Sequence, residues 1–166
     1  MLDLIKSRRS IRAFMDREVG DEQVELILEA GRWAPSGMNN QPWRFAIIRD
    51  KNLKGMISGL TRYGKIIQSA NVLIAVFLDN AESYNHTKDV QASGACIQNM
   101  LLEIHAQGLG GVWLGEILKS EKELRIILNA PETHELMAVI AFGYPSEPII
   151  ANARRKDLSE LVFFRK

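Results

Sequence analysis

Two runs in this chain carry no polar side chain at all, Val72 to Leu78 and Met137 to Phe142. Both are far too short to cross a bilayer, which takes about 20 apolar residues in a helix. An unbroken apolar run of strand length predicts a β-strand covered on both faces. Such strands need a helical layer against them. The stretch from about Lys88 to Gln107 supplies it: Val90, Gly94, Ile97, Leu101 and Ile104 fall on one stripe, with Cys96 and Met100 beside it. Gly108 and Gly110 predict where that helix stops.

The other elements follow by the same logic. A short helix is expected from Asp3 to Ser7. A second runs from Asp21 to Ala34, where Val24, Ile27, Leu28, Gly31 and Ala34 share a face and Pro35 ends it. Arg44 to Arg49 and Val112 to Leu114 read as further strands. Ser120 and Glu123 have the spacing of a capping box, ahead of a helix with Leu124, Ile127 and Leu128 inside. Gly143-Tyr144-Pro145 closes the last strand. The tail from Leu158 to Phe164 is apolar enough to be an edge strand or a docking segment. The pattern predicts one α+β domain over residues 1–166: central strands, a long buried helix and flanking helices.

Charge narrows the function classes. Lys and Arg number 21 against 20 Asp and Glu, a net charge of +1 in 166 residues. That balance gives no reason to expect a nucleic-acid or membrane partner. Cys96 is the only cysteine. A disulfide framework and a Cys-rich metal site are excluded, and a reducing cytoplasm suits the chain. His86, His105 and His134 lack metal-ligand spacing, and His105 reads as a half-buried structural histidine. No metal site is expected. Asn85-His86-Thr87 matches a glycosylation sequon, read here as chance.

Four clusters stand out. Arg8-Arg9-Ser10-Ile11-Arg12 offers planar guanidinium forks and a hydroxyl that suit phosphate oxygens. Taken alone, three such arginines are more often a solvated face. Pro35-Ser36-Gly37-Met38-Asn39-Asn40-Gln41-Pro42-Trp43 is a loop whose amides and backbone either contact a polar ring or merely join helix to strand. Gly108-Leu109-Gly110-Gly111-Val112-Trp113-Leu114-Gly115 follows a helix instead of a strand, so it is not a dinucleotide fingerprint. It reads as a turn and a close backbone approach to something flat. Arg154-Arg155-Lys156 is a basic triplet near the C-terminus. No side-chain acid, base or nucleophile is evident, so no catalytic side chain is assigned, and a bound cofactor is the expected carrier of any chemistry.

In order along the chain, these clusters resemble the nitroreductase family of FMN-dependent oxidoreductases. Ile97-Gln98-Asn99-Met100 and Gly143-Tyr144-Pro145 add to the match, which covers nearly the whole chain. The resemblance implies a nitroreductase-like fold, a central mainly antiparallel sheet flanked by helices, and an intertwined homodimer with FMN at the interface. It implies that Arg8 and Ser10 bind the FMN phosphate and ribityl end, with Arg9 beside them and Arg155 reaching the same phosphate. Arg12 would lie by the flavin N1 and O2. Pro35, Ser36, Gly37, Met38 and Asn39 of the other subunit would line the ring, and backbone at Leu114 and Gly115 would face N5. NADH or NADPH would donate hydride in ping-pong fashion, and a nitroaromatic, quinone or similar flat acceptor would receive it. The alternatives are a reductive dehalogenase or flavin-fragmenting enzyme of the same fold, a non-catalytic FMN-binding protein, and an interaction module with solvated arginines. The segments Asn52 to Lys65 and Asn80 to Lys88, where family members carry substrate-covering elements, are brief here, so an open pocket is expected.

Overall fold

The computed structural model describes residues 1–148 and 154–166. Its centre is an antiparallel sheet of four strands: β1 (Trp43–Ile48), β2 (Val72–Asp79), β3 (Gly110–Leu114) and β4 (His134–Gly143). They lie side by side in the order β1-β2-β4-β3. The two apolar runs are the two inner strands, paired along their length with a bulge between Val76 and Phe77. Every residue of β2 is buried.

The period of two along the strands divides the interior into two cores. On one face Val72, Ile74, Val76, Ala138, Ile140 and Phe142 meet α2 (Asp21–Arg32) and α5 (His86–Ala106). On the other, Leu73, Ala75, Phe77, Val139 and Ala141 meet α3 (Lys51–Ser58), α4 (Gly64–Ser69) and α6 (Glu121–Ile127). Each large side chain fully withdrawn from water contributes roughly 1.5–3 kcal/mol, so the covered inner strands anchor the fold.

The structure corrects several expectations. Sequence pattern assigns nothing between Arg49 and Val72, yet α3 and α4 form there. Both are short, and Gly55, Gly59 and Gly64 interrupt the apolar period that would announce a helix. α2 ends at Arg32, before Ala34. In α5 the stripe holds from Cys96 onward, but its first turns bury Asp89, Ala92 and Ser93 and leave Val90 exposed. Ser120 makes no capping bond; its hydroxyl donates to the Leu60 carbonyl at 3.0 Å, because a 3-10 turn over Glu116–Ser120 already precedes α6. The tail forms a short helix, α7 (Leu158–Leu161), and no edge strand.

The glycine-rich run also differs from a simple turn. Only Gly108 adopts a left-handed conformation, φ 72°, at the end of α5. Gly110 and Gly111 are already in β3. A side chain at Gly110 would collide with Ile11, so glycine there lets the N-terminal segment lie against the edge of β3. Ser10 bridges to Gly111 in parallel fashion, and the Ile11 N–H donates to the Gly111 carbonyl at 3.1 Å. Among the described residues no helix is long and apolar enough to cross a membrane.

Candidate functional site

α1 (Leu2–Ser7) is one and a half turns long and stops at Arg8, whose backbone is already extended (φ −57°, ψ 131°). The basic cluster therefore sits on extended chain, where successive side chains alternate in direction. Ile11 turns inward over Gly110, and Ser10 and Arg12 are exposed on the opposite side.

Arg8 and Arg9 line a cavity of about 680 Å³ together with Asp3, Ile5, Lys6, Ser7, Gln98 and Arg155. Two basic clusters separated by most of the sequence thus share one wall. Burial lowers the pKa of Arg8 from its ordinary value, and the neighbouring charges of Arg9 and Arg155 add to the effect. Among the described residues none of these arginines forms an ion pair. Arg9 donates to the carbonyls of Lys6 and Arg8 at 2.6 and 2.8 Å, while its Nε is buried without a partner. His105 of α5 lies behind Ser7, with Nε2 2.7 Å from the Ser7 hydroxyl. It is half-buried, as its place on the helix suggests, and burial followed by the charges of Arg8 and Arg9 lowers its pKa.

Ser10 and Arg12 line a different, shallower hollow of about 280 Å³, with Ile11, Ser146, Glu147 and Pro148. Arg12 donates to the Ser10 carbonyl at 3.2 Å. At the far end of β3 the Leu114 side chain is buried in the second core and Gly115 is exposed. Nothing lies within 4 Å of where a Gly115 side chain would begin. Strand alternation turns the backbone of Gly111 and Trp113 toward the edge away from β4, whereas Gly115 lies beyond β3 and its carbonyl accepts from the Leu118 N–H at 3.2 Å. Glu116 fixes the chain just beyond: it accepts from Thr61 Oγ1 and pairs with Lys119, both at 2.5 Å, and these partners hold its carboxyl below the ordinary value.

The loop after α2 is built differently. Pro35 is exposed, Ser36 and Gly37 are half-buried, and Met38 and Asn39 are exposed, Met38 at 86%. Met38, Asn39 and Gln41 all have positive φ, between 47° and 58°. For residues with a Cβ that conformation costs roughly 1–2 kcal/mol each, so the surrounding structure must enforce it. The Gln41 N–H donates to Ser36 Oγ at 3.0 Å, and the Gln41 amide donates to the Asn39 carbonyl at 3.1 Å. Asn40 points inward and donates to Asp89 Oδ1 at 2.9 Å and to the Glu82 carbonyl at 3.1 Å.

Asp89, on the first turns of α5, is wholly buried. Its other oxygen accepts from Ser83 Oγ at 2.7 Å and from the N–H groups of Asn85 and Tyr84 at 3.1 and 3.2 Å. Burial pushes this carboxyl up, but the bonds from Ser83, Asn40 and the two amides outweigh it and leave the pKa below the ordinary value. The sequon residue Asn85 is the cap of α5, accepting from the Lys88 N–H at 3.2 Å. Cys96 is fully buried and burial pushes its thiol up to about 12, so it is an inert packing group.

The structure therefore joins Arg8, Arg9 and Arg155, sets Ser10 and Arg12 just outside that cavity, and leaves the Pro35–Asn39 loop apart. The cavity meets α5 at Gln98 and the loop meets it at Asp89. Asp89 and Gln98 are nine positions apart, about 13 Å along the axis. Sequence reasoning assigned no role to Asp89 or Glu116, and named Asn40 and Gln98 only as members of longer motifs. An acid in the first turns of a helix is the only local signal for Asp89, and it is indistinguishable from an ordinary dipole partner. Among the described residues no group of acidic, His or Cys side chains could hold a metal ion.

Comparison with known proteins gives one consistent result. The family model described as Nitroreductase family matches residues 5–69 and 57–144. A provisionally named NADH dehydrogenase/NAD(P)H nitroreductase of Archaeoglobus fulgidus is 37% identical over 149 residues, covering 88% of this chain and 86% of that protein. An iodotyrosine deiodinase of Thermotoga neapolitana is 28% identical over 173 residues, covering 89% of this chain and 90% of that protein. A provisionally named nitroreductase of Desulfovibrio desulfuricans, solved in complex with FMN, superposes with a TM-score of 0.93 at 47% identity over 99% of this chain and 96% of that one. An antiparallel sheet helical on both faces, a paired arginine cluster and these matches lead to one conclusion: the chain belongs to the nitroreductase family.

Proposed function

We propose that the chain is an FMN-dependent NAD(P)H oxidoreductase that reduces a nitroaromatic, quinone or similar flat acceptor. The observation that carries this reading is the cavity shared by Arg8, Arg9 and Arg155. Three guanidinium groups packed together repel one another, and among the described residues no carboxylate pairs with them. A bound dianion relieves that repulsion, and the unpartnered Arg9 Nε is a donor in waiting. These residues fit a flavin mononucleotide phosphate, with Gln98 and Ser7 as further polar neighbours.

Ser10 and Arg12 lie next along the extended segment and take the ribityl chain and the pyrimidine side of the ring. A fixed cation at Arg12 favours negative charge there. The Gly115 backbone, open above and braced by Glu116, abuts the ring edge. Bound FMN would supply the redox chemistry, taking hydride from NADH or NADPH and delivering electrons to the acceptor. The chain's own contribution is to bind, orient and polarise, which accounts for the lack of a side-chain acid or base.

The Pro35–Asn39 loop completes the site from a second copy. The exposed Met38, Val90 and Trp113 and the exposed Phe163 and Phe164 of the tail support this. Apolar surface of that extent suits an isologous homodimer. The 28% identity to an iodotyrosine deiodinase keeps reductive dehalogenation as a second reading of the same site.

Purified protein is expected to be yellow, with a flavin band that bleaches anaerobically on adding NADH or NADPH. Parallel lines in double-reciprocal plots check the ping-pong order. Colourless protein that takes up no added FMN overturns the proposal.

A further inference from the structure

Asp89 does no chemistry in the reading above, yet it is a wholly buried carboxylate with no cation beside it among the described residues. It ties three pieces of chain together. Through Ser83, Tyr84 and Asn85 it folds the segment before α5 back on the helix. Through Asn40 it reaches the loop after α2. Tyr84, fixed by its own N–H, lays its ring over Gly37, where any side chain would collide with it. The loop is thus gripped at Asn40 by a hydrogen bond and at Gly37 by an aromatic ring. Between those grips sit Met38 and Asn39 in their left-handed conformations.

We infer that Asp89, acting through Asn40 and Tyr84, is a positioning residue that sets the conformation of the Ser36–Asn39 loop and so the fit of the flavin ring. This rests on the FMN reading of the preceding section and adds to it a device remote from the phosphate cavity. The carboxylate suits the task because it accepts four bonds at once, which no neutral side chain of its size can do. The division of labour is specific: arginines hold the phosphate, and the Asp89 clamp shapes the wall against the ring.

The test separates ring from phosphate. Full-length parent, Asn40→Ala, Asp89→Asn and Arg8→Ala chains are titrated with FMN and with riboflavin, which lacks the phosphate, and their thermal melts are recorded. Asn40→Ala is expected to weaken both flavins by the same factor, about tenfold, and to shift the visible spectrum of the bound ring. Arg8→Ala is expected to weaken FMN and leave riboflavin unchanged. Asn40→Ala removes the tie and leaves Asp89 three of its four donors, so it carries the test even if Asp89→Asn does not fold. A parent that binds both flavins, with Asn40→Ala retaining both affinities and the parent spectrum, overturns the inference alone. So does an Asn40→Ala loss confined to FMN. A parent that binds neither flavin overturns the FMN reading and this inference with it.

Discussion

The arginine cavity and the Asp89 clamp handle charge in opposite ways. Along the later turns of α5, Arg8, Arg9 and Arg155 gather positive charge with which no carboxylate forms an ion pair among the described residues. On its first turns, Asp89 buries negative charge that four donors satisfy in full. Burial lowers the pKa of Arg8 with nothing to restore it, whereas at Asp89 hydrogen bonding overrides burial. An unbalanced cluster is what the proposed phosphate site requires, since an anion relieves its repulsion, and a balanced one is architecture. The difference teaches where to look for ligand: in the charge that is left over, and not in the charge that is buried deepest.

The sharpest way to break this comparison is to remove the unbalanced charge. Arg8→Ala with Arg155→Ala is expected to weaken FMN by a hundredfold or more, since each charge-assisted bond contributes roughly 1.5–3 kcal/mol. The melting temperature of the flavin-free chain should stay level or rise, because a repulsion is relieved. Flavin fluorescence titration and calorimetry check both halves. A large loss of flavin-free stability would show that the cluster is structural.

Removing the balanced charge should do the reverse. Asp89→Ala is expected to cost about 1–3 kcal/mol of folding stability by urea denaturation, because it strands buried donors. The folded carboxyl titrates below its unfolded value near 3.8. Its contribution is therefore complete above that value and is lost as pH falls through the lower folded one. Asp89→Asn should flatten that acid loss.

A smaller effect sharpens the first region. The pKa of His105 is lowered by burial and then by Arg8 and Arg9, so the folded state disfavours its proton. Stability should fall as pH drops through the unfolded value near 6.5, and His105→Gln should remove the slope. Filling the cavity with inorganic phosphate should weaken it, since an anion welcomes the proton. The smallest effect concerns a group that belongs to neither region. With its thiol pushed up to about 12, Cys96 should resist a thiol reagent in the native chain and react as one equivalent after denaturation.

Much of this was legible before any coordinates. The polar-free runs at Val72 to Leu78 and Met137 to Phe142 could only be inner strands, and the Cys96-to-Ile104 stripe could only face them. The family resemblance came from local motifs, since Arg8-Arg9-Ser10 and Pro35-Ser36-Gly37-Met38-Asn39 are contiguous. α3 and α4 were hidden because their glycines interrupt the period. The early turns of α5 were misread because Asp89 and Ser93 are polar yet buried, and a pattern that scores apolarity places such residues outside. Val90, apolar and exposed, was misread for the mirror reason.

Sequence by itself determined the inner strands, the faces of α2 and of α5 from Cys96 onward, and the family, because each depends on spacing within a short stretch. Tertiary structure alone decided which charges are balanced. Arg8 and Arg155 stand 147 positions apart and Asn40 and Asp89 stand 49 apart, so no local pattern connects either pair. Electrostatic satisfaction is a property of neighbours in space, and only the folded chain chooses them.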